Sequence, residues 1–375
     1  MDFELTEEQR MIRDMARDFA AEVVAPRAAE IDRTEEYPMD TLKHMGGLGL
    51  MAIDVPEEYG GIGADTVSYV LAMEEINKAC AATGTVMSVN NSLICHALVE
   101  WGSDHQKETY LRPATTFQKI GAYALSEPQA GSDAANQKTL AVREDAHYVV
   151  NGSKNFITNG SVADFVILFC RTDPQEKHRG ISCLLVDADS DGFSAGKPED
   201  KLGIRASATT TLSLEDCRVP VENRMSEEGE GFAIAMSILD TGRIGIAAQA
   251  VGIAQAAFEA SVAYAKERQT FGKPIAQHQA IQFMIADMAT RIEAARLLTL
   301  KAARLKDQGK PHSRAASMAK LYASETAGRV TDKAIQVHGG YGYMKEYAVE
   351  RYFRDAKITQ IYEGTSEVQR MVIAA

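Results

Sequence analysis

Toward the C-terminal end of this 375-residue chain, Ile361-Tyr362-Glu363-Gly364-Thr365-Ser366 sets one carboxylate between an aromatic ring and a glycine. Glycine permits close backbone approach and unusual dihedrals. A carboxylate on such a segment, in an apolar site, is suited to act as a general base. Four further segments carry groups that could hold a ligand. Tyr123-Ala124-Leu125-Ser126-Glu127-Pro128-Gln129-Ala130-Gly131-Ser132-Asp133 offers hydroxyls, backbone amides and a Gly turn. Such a loop suits a polar heterocycle or a phosphate, and an ordinary Pro/Gly turn has the same composition. Lys154-Asn155-Phe156-Ile157-Thr158-Asn159-Gly160 presents an aromatic that is either a core residue or a flat surface for a ring system. In Arg268-Gln269-Thr270-Phe271-Gly272-Lys273-Pro274, the guanidinium can grip a pyrophosphate with two hydrogen bonds, or Arg268 and Lys273 form a solvated helix end; His278 and Gln279 follow. Gln336-Val337-His338-Gly339-Gly340-Tyr341-Gly342 can present backbone amides or simply stop a helix.

These residues need elements to position them. Residues 5–33 have a helical pattern, opened by Thr6 and Gln9 in capping-box spacing. Helical segments continue to about residue 112, broken by loops such as Glu58-Tyr59-Gly60-Gly61-Ile62-Gly63. The formal GxGxxA match at Gly47–Ala52 follows a helical stretch, Asp40 to Met45. A dinucleotide fingerprint requires a strand there, so none is read. The character changes near residue 120. Gly121–Leu125, Phe165–Phe169, Ile181–Val186 and Thr209–Leu214 read as strands, and Asn151-Gly152 between Tyr148–Val150 and Asn155–Thr158 carries the signal of a two-residue hairpin turn. From about residue 229 the 3.6-residue period returns, with Ile246, Ala250, Ile253 and Ala257 on one face and Ile281, Met284, Ile285, Met288 and Ile292 on another. The expected order is an α-helical domain over 1–119, a β domain over 120–227 and a helical bundle over 228–375: mainly α with a central small β-barrel or sandwich and a C-terminal four-helix bundle.

Composition narrows the chemistry. Lys+Arg 40 against Asp+Glu 52 gives a net charge of −12. That disfavours nucleic acid and anionic membrane as partners and leaves room for a local basic pocket. The five cysteines, Cys80, Cys95, Cys170, Cys183 and Cys217, form no CxxC, and the eight histidines form no HExxH set. No metal is expected. No apolar run approaches the ~18–20 residues of a membrane span, and Met1-Asp2-Phe3-Glu4-Leu5 lacks a signal-peptide core. A mature soluble protein is expected, cytoplasmic in a bacterium or in the mitochondrial matrix after processing.

Read jointly, YALSEPQAGSDA, NFITNG, LDTGRIGIAAQA, RQTFGKPI, QVHGGYGY and RDAKITQIYEGTSEVQR closely resemble the acyl-CoA dehydrogenase family, in its order and spacing and over essentially the whole chain. LDTGRIG and the tail look most like the short-chain, butyryl-CoA type. The resemblance implies FAD between the β domain and the C-terminal bundle, a homotetramer in which a second subunit completes the site, and electron-transferring flavoprotein as acceptor. Tyr123, Leu125, Ser126, Gly131 and Ser132 match the loop along the flavin, with Ser132 also at the substrate boundary. Phe156, Ile157 and Thr158 match the strand on the isoalloxazine, where many relatives carry Trp in place of Phe156. Arg268, Thr270, Phe271, His278 and Gln279 match contacts donated across a dimer. Gln336, Val337, Gly339 and Gly340 match the FAD phosphate segment, and Thr365 and Glu367 match the contacts after the base. Asp240, Arg243, Tyr362 and Gly364 match the substrate site. Without the resemblance, Asp240 and Arg243 would read as a surface ion pair worth less than about 1 kcal/mol.

The implied reaction is α,β-dehydrogenation of a short-chain acyl-CoA to the trans-2-enoyl-CoA. Glu363 removes the α-proton, its backbone N–H helps hold the thioester oxygen, and hydride passes to flavin N5. Some family members carry the base at the position matched by Gly242, which cannot serve here. An acyl-CoA oxidase is the near alternative, although oxidases usually carry a large extra C-terminal region. A non-catalytic acyl-CoA-binding protein is the other, and it would be expected to lose Glu363.

Overall fold

A computed structural model describes residues 4–375; Met1 to Phe3, part of the stretch read for a signal-peptide core, lie outside the described residues. The first third is helical: α1 (Glu7–Phe19), α2 (Ala28–Thr34), α3 (Met39–Gly47), α4 (Thr66–Ala79), α5 (Ala81–Ser88), α6 (His96–Trp101), α7 (Asp104–Gln106) and α8 (Arg112–Thr115). Thr6 and Gln9 close the expected capping box at the start of α1. Pro26 lies in the 3-10 turn Ala25–Arg27 that separates α1 from α2, because proline lacks the amide a continuing helix would use.

Strands occupy the middle: β1 (Gly121–Ala124), β2 (Leu140–Glu144), β3 (His147–Thr158), β4 (Phe165–Arg171), β5 (Ile181–Asp187), β6 (Phe193–Ala195), β7 (Thr209–Pro220) and β8 (Arg224–Met225). They form one mixed sheet in the order β6-β7-β3-β2-β4-β5-β8, with β1 parallel to β4. Along β4, Phe165, Ile167 and Phe169 join a core shared with the helices, whereas Val166, Leu168 and Cys170 join a second core with Tyr148, Val150, Leu212 and Leu214 of β3 and β7. Burial on both faces explains the unbroken apolar run. The sheet thus encloses a small core of its own.

The Asn151-Gly152 turn is not formed. β3 runs straight through it, and the hairpin turn lies at Asp145-Ala146, where Asp145 has φ 52°. Asn151 instead braces a bulge in β7: its side chain donates to Asp216 Oδ1 and accepts from the Asp216 amide, both at 2.9 Å. Gly152 is required for a different reason, since a Cβ there would lie 2.7 Å from Thr139 Cα. A second irregularity, between Lys154 and Ile157, sets two β3 residues, Asn155 and Phe156, against one of β7. Bulges of this kind redirect a side chain, and Phe156, at φ 58°, is 67% exposed despite its large ring.

The last third holds α9 (Gly231–Glu267), a short hairpin of β9 (Gln269–Thr270) and β10 (Lys273–Pro274), then α10 (Gln279–Asp307), α11 (Ser313–His338), α12 (Val349–Ile358) and α13 (Ser366–Ala374). Helix α9 packs on α11, α4 and α10. Ile246, Ala250, Ile253 and Ala257 are buried as expected, while of the five expected on α10 Met288 and Ile292 are buried and Ile281, Met284 and Ile285 are half-buried in a smaller cluster. No unbroken apolar run has the length of a membrane span, yet α9 as a whole is long and apolar enough for one by length and composition. The charged pair Asp240/Arg243 hid this from a search for an unbroken apolar run. The most apolar stretch of α9 is 67% buried inside the protein, which accounts for its composition. All five cysteines are free and buried.

Candidate active site

A cavity of about 190 Å³ opens where the β domain meets α9 and the loop before α13. Tyr123, Leu125, Ser126, Gly131 and Ser132 border it from the β1 end, and Phe156, Ile157 and Thr158 from the β3 bulge. Arg243 borders it from α9, and Tyr362, Glu363 and Gly364 from the C-terminal loop. Its apolar wall consists of Val89 and Leu93 from the π-helical turn Val89–Cys95 and Met236, Leu239 and Ile246 from α9.

The β1 loop and the bulge are tied together by buried charge. Glu127 and Lys154 form an ion pair at 2.8 Å with side chains 2% and 0% exposed. Lys154 Nζ also donates to the Leu125 carbonyl and to Gln137 Oε1. Glu127 further accepts from the amides of Lys138 and Thr139 and from Gln129 Nε2. Burial alone would raise the Glu127 pKa, but Lys154 and these donors outweigh it and hold the carboxyl at about 2. The Asn155 amide donates to the Ser126 carbonyl at 2.9 Å, which completes the link.

Glu363 sits in a left-handed turn, φ 52°, followed by Gly364 at φ 90°. The residue is partly accessible through the cavity, yet its Oε2 is buried without a hydrogen-bond partner. Desolvation raises its pKa to about 7, against the opposing pull of Lys320 and Arg243. This is the condition of a base poised near neutrality. A Cβ built on Gly242 would lie 2.2 Å from Glu363 Oε2, so α9 reaches this carboxylate only because residue 242 has no side chain.

Arg243 is no surface residue. It is 5% exposed and paired with Asp240 at 2.5 Å. Asp240 does not border the cavity; it stands behind Arg243 and also accepts from Ser313 Oγ at 2.9 Å. Behind Tyr362 and Thr85, which also border the cavity, Tyr362 donates to Gln249 Oε1, and Gln249 Nε2 donates to Thr85 Oγ1 at 2.8 Å and to the Ala81 carbonyl at 3.2 Å.

The remaining expected contacts lie elsewhere in the chain. Arg268, Thr270, Val337, Gly339 and Gly340 border a second cavity of about 580 Å³ with Tyr264, His338 and Tyr341. Arg268 lies over the Tyr341 ring, 5.6 Å from its centroid. The two cavities share no bordering residue. Gln336, Phe271, His278, Gln279, Thr365 and Glu367 border neither. Phe271 is 95% exposed at the tip between β9 and β10. His278 Nε2 is 3.0 Å from the Thr270 hydroxyl, ahead of Gln279 at the start of α10. Gln336 is exposed near the end of α11, and Thr365 caps α13 while Glu367 is exposed in its first turn. Among the described residues, no group of three or more His, Cys, Asp or Glu is gathered as metal ligands would be.

Family models match almost the entire length: an acyl-CoA dehydrogenase N-terminal domain over residues 6–118, a middle domain over 122–217 and a C-terminal domain over 229–375. The chain belongs to the acyl-CoA dehydrogenase family. It is 53% identical to the short-chain specific acyl-CoA dehydrogenase of Clostridium acetobutylicum, over 100% of this chain and 99% of that protein. It is 52% identical to the mitochondrial short-chain specific enzyme of Mus musculus, over 99% and 90%. Among solved structures, butyryl-CoA dehydrogenase from Megasphaera elsdenii superposes with a TM-score of 0.98 at 46% identity, covering 100% of this chain and 99% of that one. A chain in a structure of the electron transferring flavoprotein of Acidaminococcus fermentans superposes at 0.99 with 50% identity, covering 100% and 98%.

The cofactor of this family is FAD, and the residues present fit it. The exposed Phe156 ring, the hydroxyls of Ser126 and Thr158 and the open space at Gly131 make a cradle for a flat polar heterocycle beside the unpartnered carboxylate of Glu363. Open space also surrounds the α-carbons of Gly339 and Gly340, where backbone can approach a phosphate. Three features escaped the sequence reading: Gln249, Thr85 and Lys320. Gln249 could have been found as the residue one helical turn beyond Ile246 on the face of Gly242. Lys320 could have been found as a cation within the buried stripe of Ala316, Ala323 and Ala327.

Proposed function

We propose that this acyl-CoA dehydrogenase converts a short-chain acyl-CoA to the trans-2-enoyl-CoA with Glu363 as the base, and that electron-transferring flavoprotein takes the electrons. The observation that carries the assignment is the Glu363 carboxylate, lifted to about pKa 7 by burial, with an unpartnered oxygen facing Gly242 at the cavity. An α-proton of a thioester is weakly acidic, so its removal needs a positioned base and a donor for the developing enolate oxygen. Glu363 takes that proton once its own carboxyl is deprotonated, and its backbone N–H is assigned the thioester oxygen. Leu93, Met236, Leu239 and Ile246 exclude water from the acyl chain, and a drier cavity strengthens each electrostatic contact in it. The Gln249–Tyr362–Thr85 network closes the far end and favours a short chain. Bound FAD supplies the acceptor for the hydride that leaves Cβ.

The first cavity holds the flavin between the β1 loop and the β3 bulge. The second cavity, with Arg268, Thr270, Val337, Gly339 and Gly340, together with Phe271, His278, Gln279 and Gln336 outside it, serves FAD across a subunit boundary in a homotetramer. Its separation from Glu363 within one chain supports that arrangement. Thr365 and Glu367 contact FAD from the start of α13. The match to a chain in an electron transferring flavoprotein structure supports the choice of acceptor. Bacterial and mitochondrial relatives support a cytoplasmic or matrix setting.

The test is anaerobic addition of butyryl-CoA to the FAD-loaded protein. Wild type loses its yellow flavin absorbance, while Glu363→Gln keeps FAD bound and stays yellow. Rapid bleaching of Glu363→Gln refutes the assignment of the base.

A further inference from the structure

Lys320 of α11 is fully buried on the helix face of Ala316, Ala323 and Ala327 and, among the described residues, forms no ion pair. Burying an ammonium without a partner is costly. Its Nζ donates to the Gly364 carbonyl, on the residue that follows the base. Gln369 Nε2 reaches the same carbonyl at 2.9 Å and that of Glu363 at 3.2 Å. Both backbone oxygens of the left-handed turn are therefore held from beneath. A non-glycine residue in that region costs on the order of 1–3 kcal/mol and persists only where its surroundings impose it.

The charged groups around Glu363 come from three helices. Arg243 of α9 is already committed to Asp240. Lys320 of α11 feels Glu363 and, more weakly, Glu367 of α13. Tyr69 of α4, Tyr123 of β1 and Tyr362 are neutral hydroxyls raised by burial and, secondarily, by the charge on Glu363. Desolvation lowers the Lys320 pKa to about 8, and Glu363 resists that fall. Each charge thus favours the charged form of the other.

We propose that Lys320 is a positioning residue for the base: bonded to the Gly364 carbonyl, it fixes the turn that aims the Glu363 carboxylate into the cavity, and it is the counter-charge of the deprotonated carboxylate. This rests on Glu363 being the base. The lysine touches neither reacting carbon and acts through Glu363.

The experiment measures flavin bleaching by butyryl-CoA across pH in FAD-loaded wild type, Lys320→Met and Lys320→Arg. Met removes the charge at similar length, and Gly364 retains its bond from Gln369, so the turn keeps one support. The sign follows from the base. Without the cation, the Glu363 carboxylate is harder to form, so the acidic limb moves to higher pH. A shift of roughly one unit corresponds to about tenfold slower bleaching below the wild-type midpoint, with butyryl-CoA affinity within about twofold of wild type. Lys320→Arg restores the midpoint. A Lys320→Met midpoint that coincides with wild type overturns the proposal, even if all rates fall uniformly, as does failure of Arg to restore a shifted midpoint. Should Lys320→Met not accumulate as folded holoenzyme, Lys320→Gln, which keeps a donor to Gly364, is read by the same midpoint. Wild type that does not bleach, or Glu363→Gln that does, would overturn the functional reading and this inference together; an unmoved midpoint overturns this inference alone.

Discussion

Replacing Gly242 by alanine puts one methyl group against the Glu363 carboxylate. The added Cβ would stand 2.2 Å from Glu363 Oε2 and 3.0 Å from Leu93 Cδ2. Ordinary contact between non-bonded heavy atoms needs about 3.5 Å, so the carboxylate must retreat by roughly 1 Å. A misplacement of about that size costs ~10²-fold in rate, equal to about 2.7 kcal/mol of barrier. Stability changes less, because opposing terms meet. Alanine gains about 1 kcal/mol of helix propensity over glycine, while overpacking costs about 1–3 kcal/mol. The assay compares single-turnover flavin bleaching by butyryl-CoA with the melting temperature and the flavin content. Bleaching slowed by about two orders of magnitude, with flavin content intact, is expected. Bleaching at the wild-type rate would refute the juxtaposition of residue 242 and the base. The same geometry predicts that Gly242→Glu restores slow bleaching when combined with Glu363→Gly, since the two positions reach the same point.

Further perturbations follow from buried groups. Glu363 ionises near its ordinary value of 4.5 in the unfolded chain and near about 7 in the folded one. Between these values the native state holds the extra proton, so the carboxylate costs stability that grows as pH rises and levels off above the folded value. Glu363→Gln should therefore raise stability by about 1–3 kcal/mol at about pH 8 and leave it unchanged near pH 4, read from melting curves. Lys154→Met leaves Glu127 buried without its cation; a loss of about 3–5 kcal/mol and weakened FAD retention are expected, by denaturant titration and flavin release. Gln249→Ala frees about two methylenes of space behind the cavity-lining Tyr362 and Thr85, and at about 0.8 kcal/mol each the ratio of kcat/KM for hexanoyl-CoA over butyryl-CoA should rise up to about tenfold.

The sequence disclosed the helix–sheet–helix order because its periodicities are strong: Ile246, Ala250, Ile253 and Ala257 repeat at helical spacing, and β4 is apolar without a break. It misplaced the β2–β3 turn because Asn-Gly has a second use. Asn151 braces the bulge at Asp216, far away in the chain, and Gly152 admits Thr139, just before β2, demands that only the paired strands reveal. Glu363 stood out as a candidate base from its glycine-flanked loop. Its elevated pKa was not, since that arises from desolvation by elements brought together only in three dimensions. Lys320 and Gln249 were overlooked for the opposite reason: each is an ordinary helix former, and only burial reveals its role. The division of the expected FAD contacts between two cavities likewise has no signature in the linear order.

The five buried thiols have a practical consequence. Alkylating reagents attack thiolates, and burial pushes all five groups upward in pKa. Labelling therefore waits on an opening of the structure, and its rate counts those openings. Cys80 and Cys95 lie among the helices, whereas Cys170, Cys183 and Cys217 lie in the sheet. Peptide-resolved labelling under native conditions would report the breathing of the two regions separately, with no engineered probe.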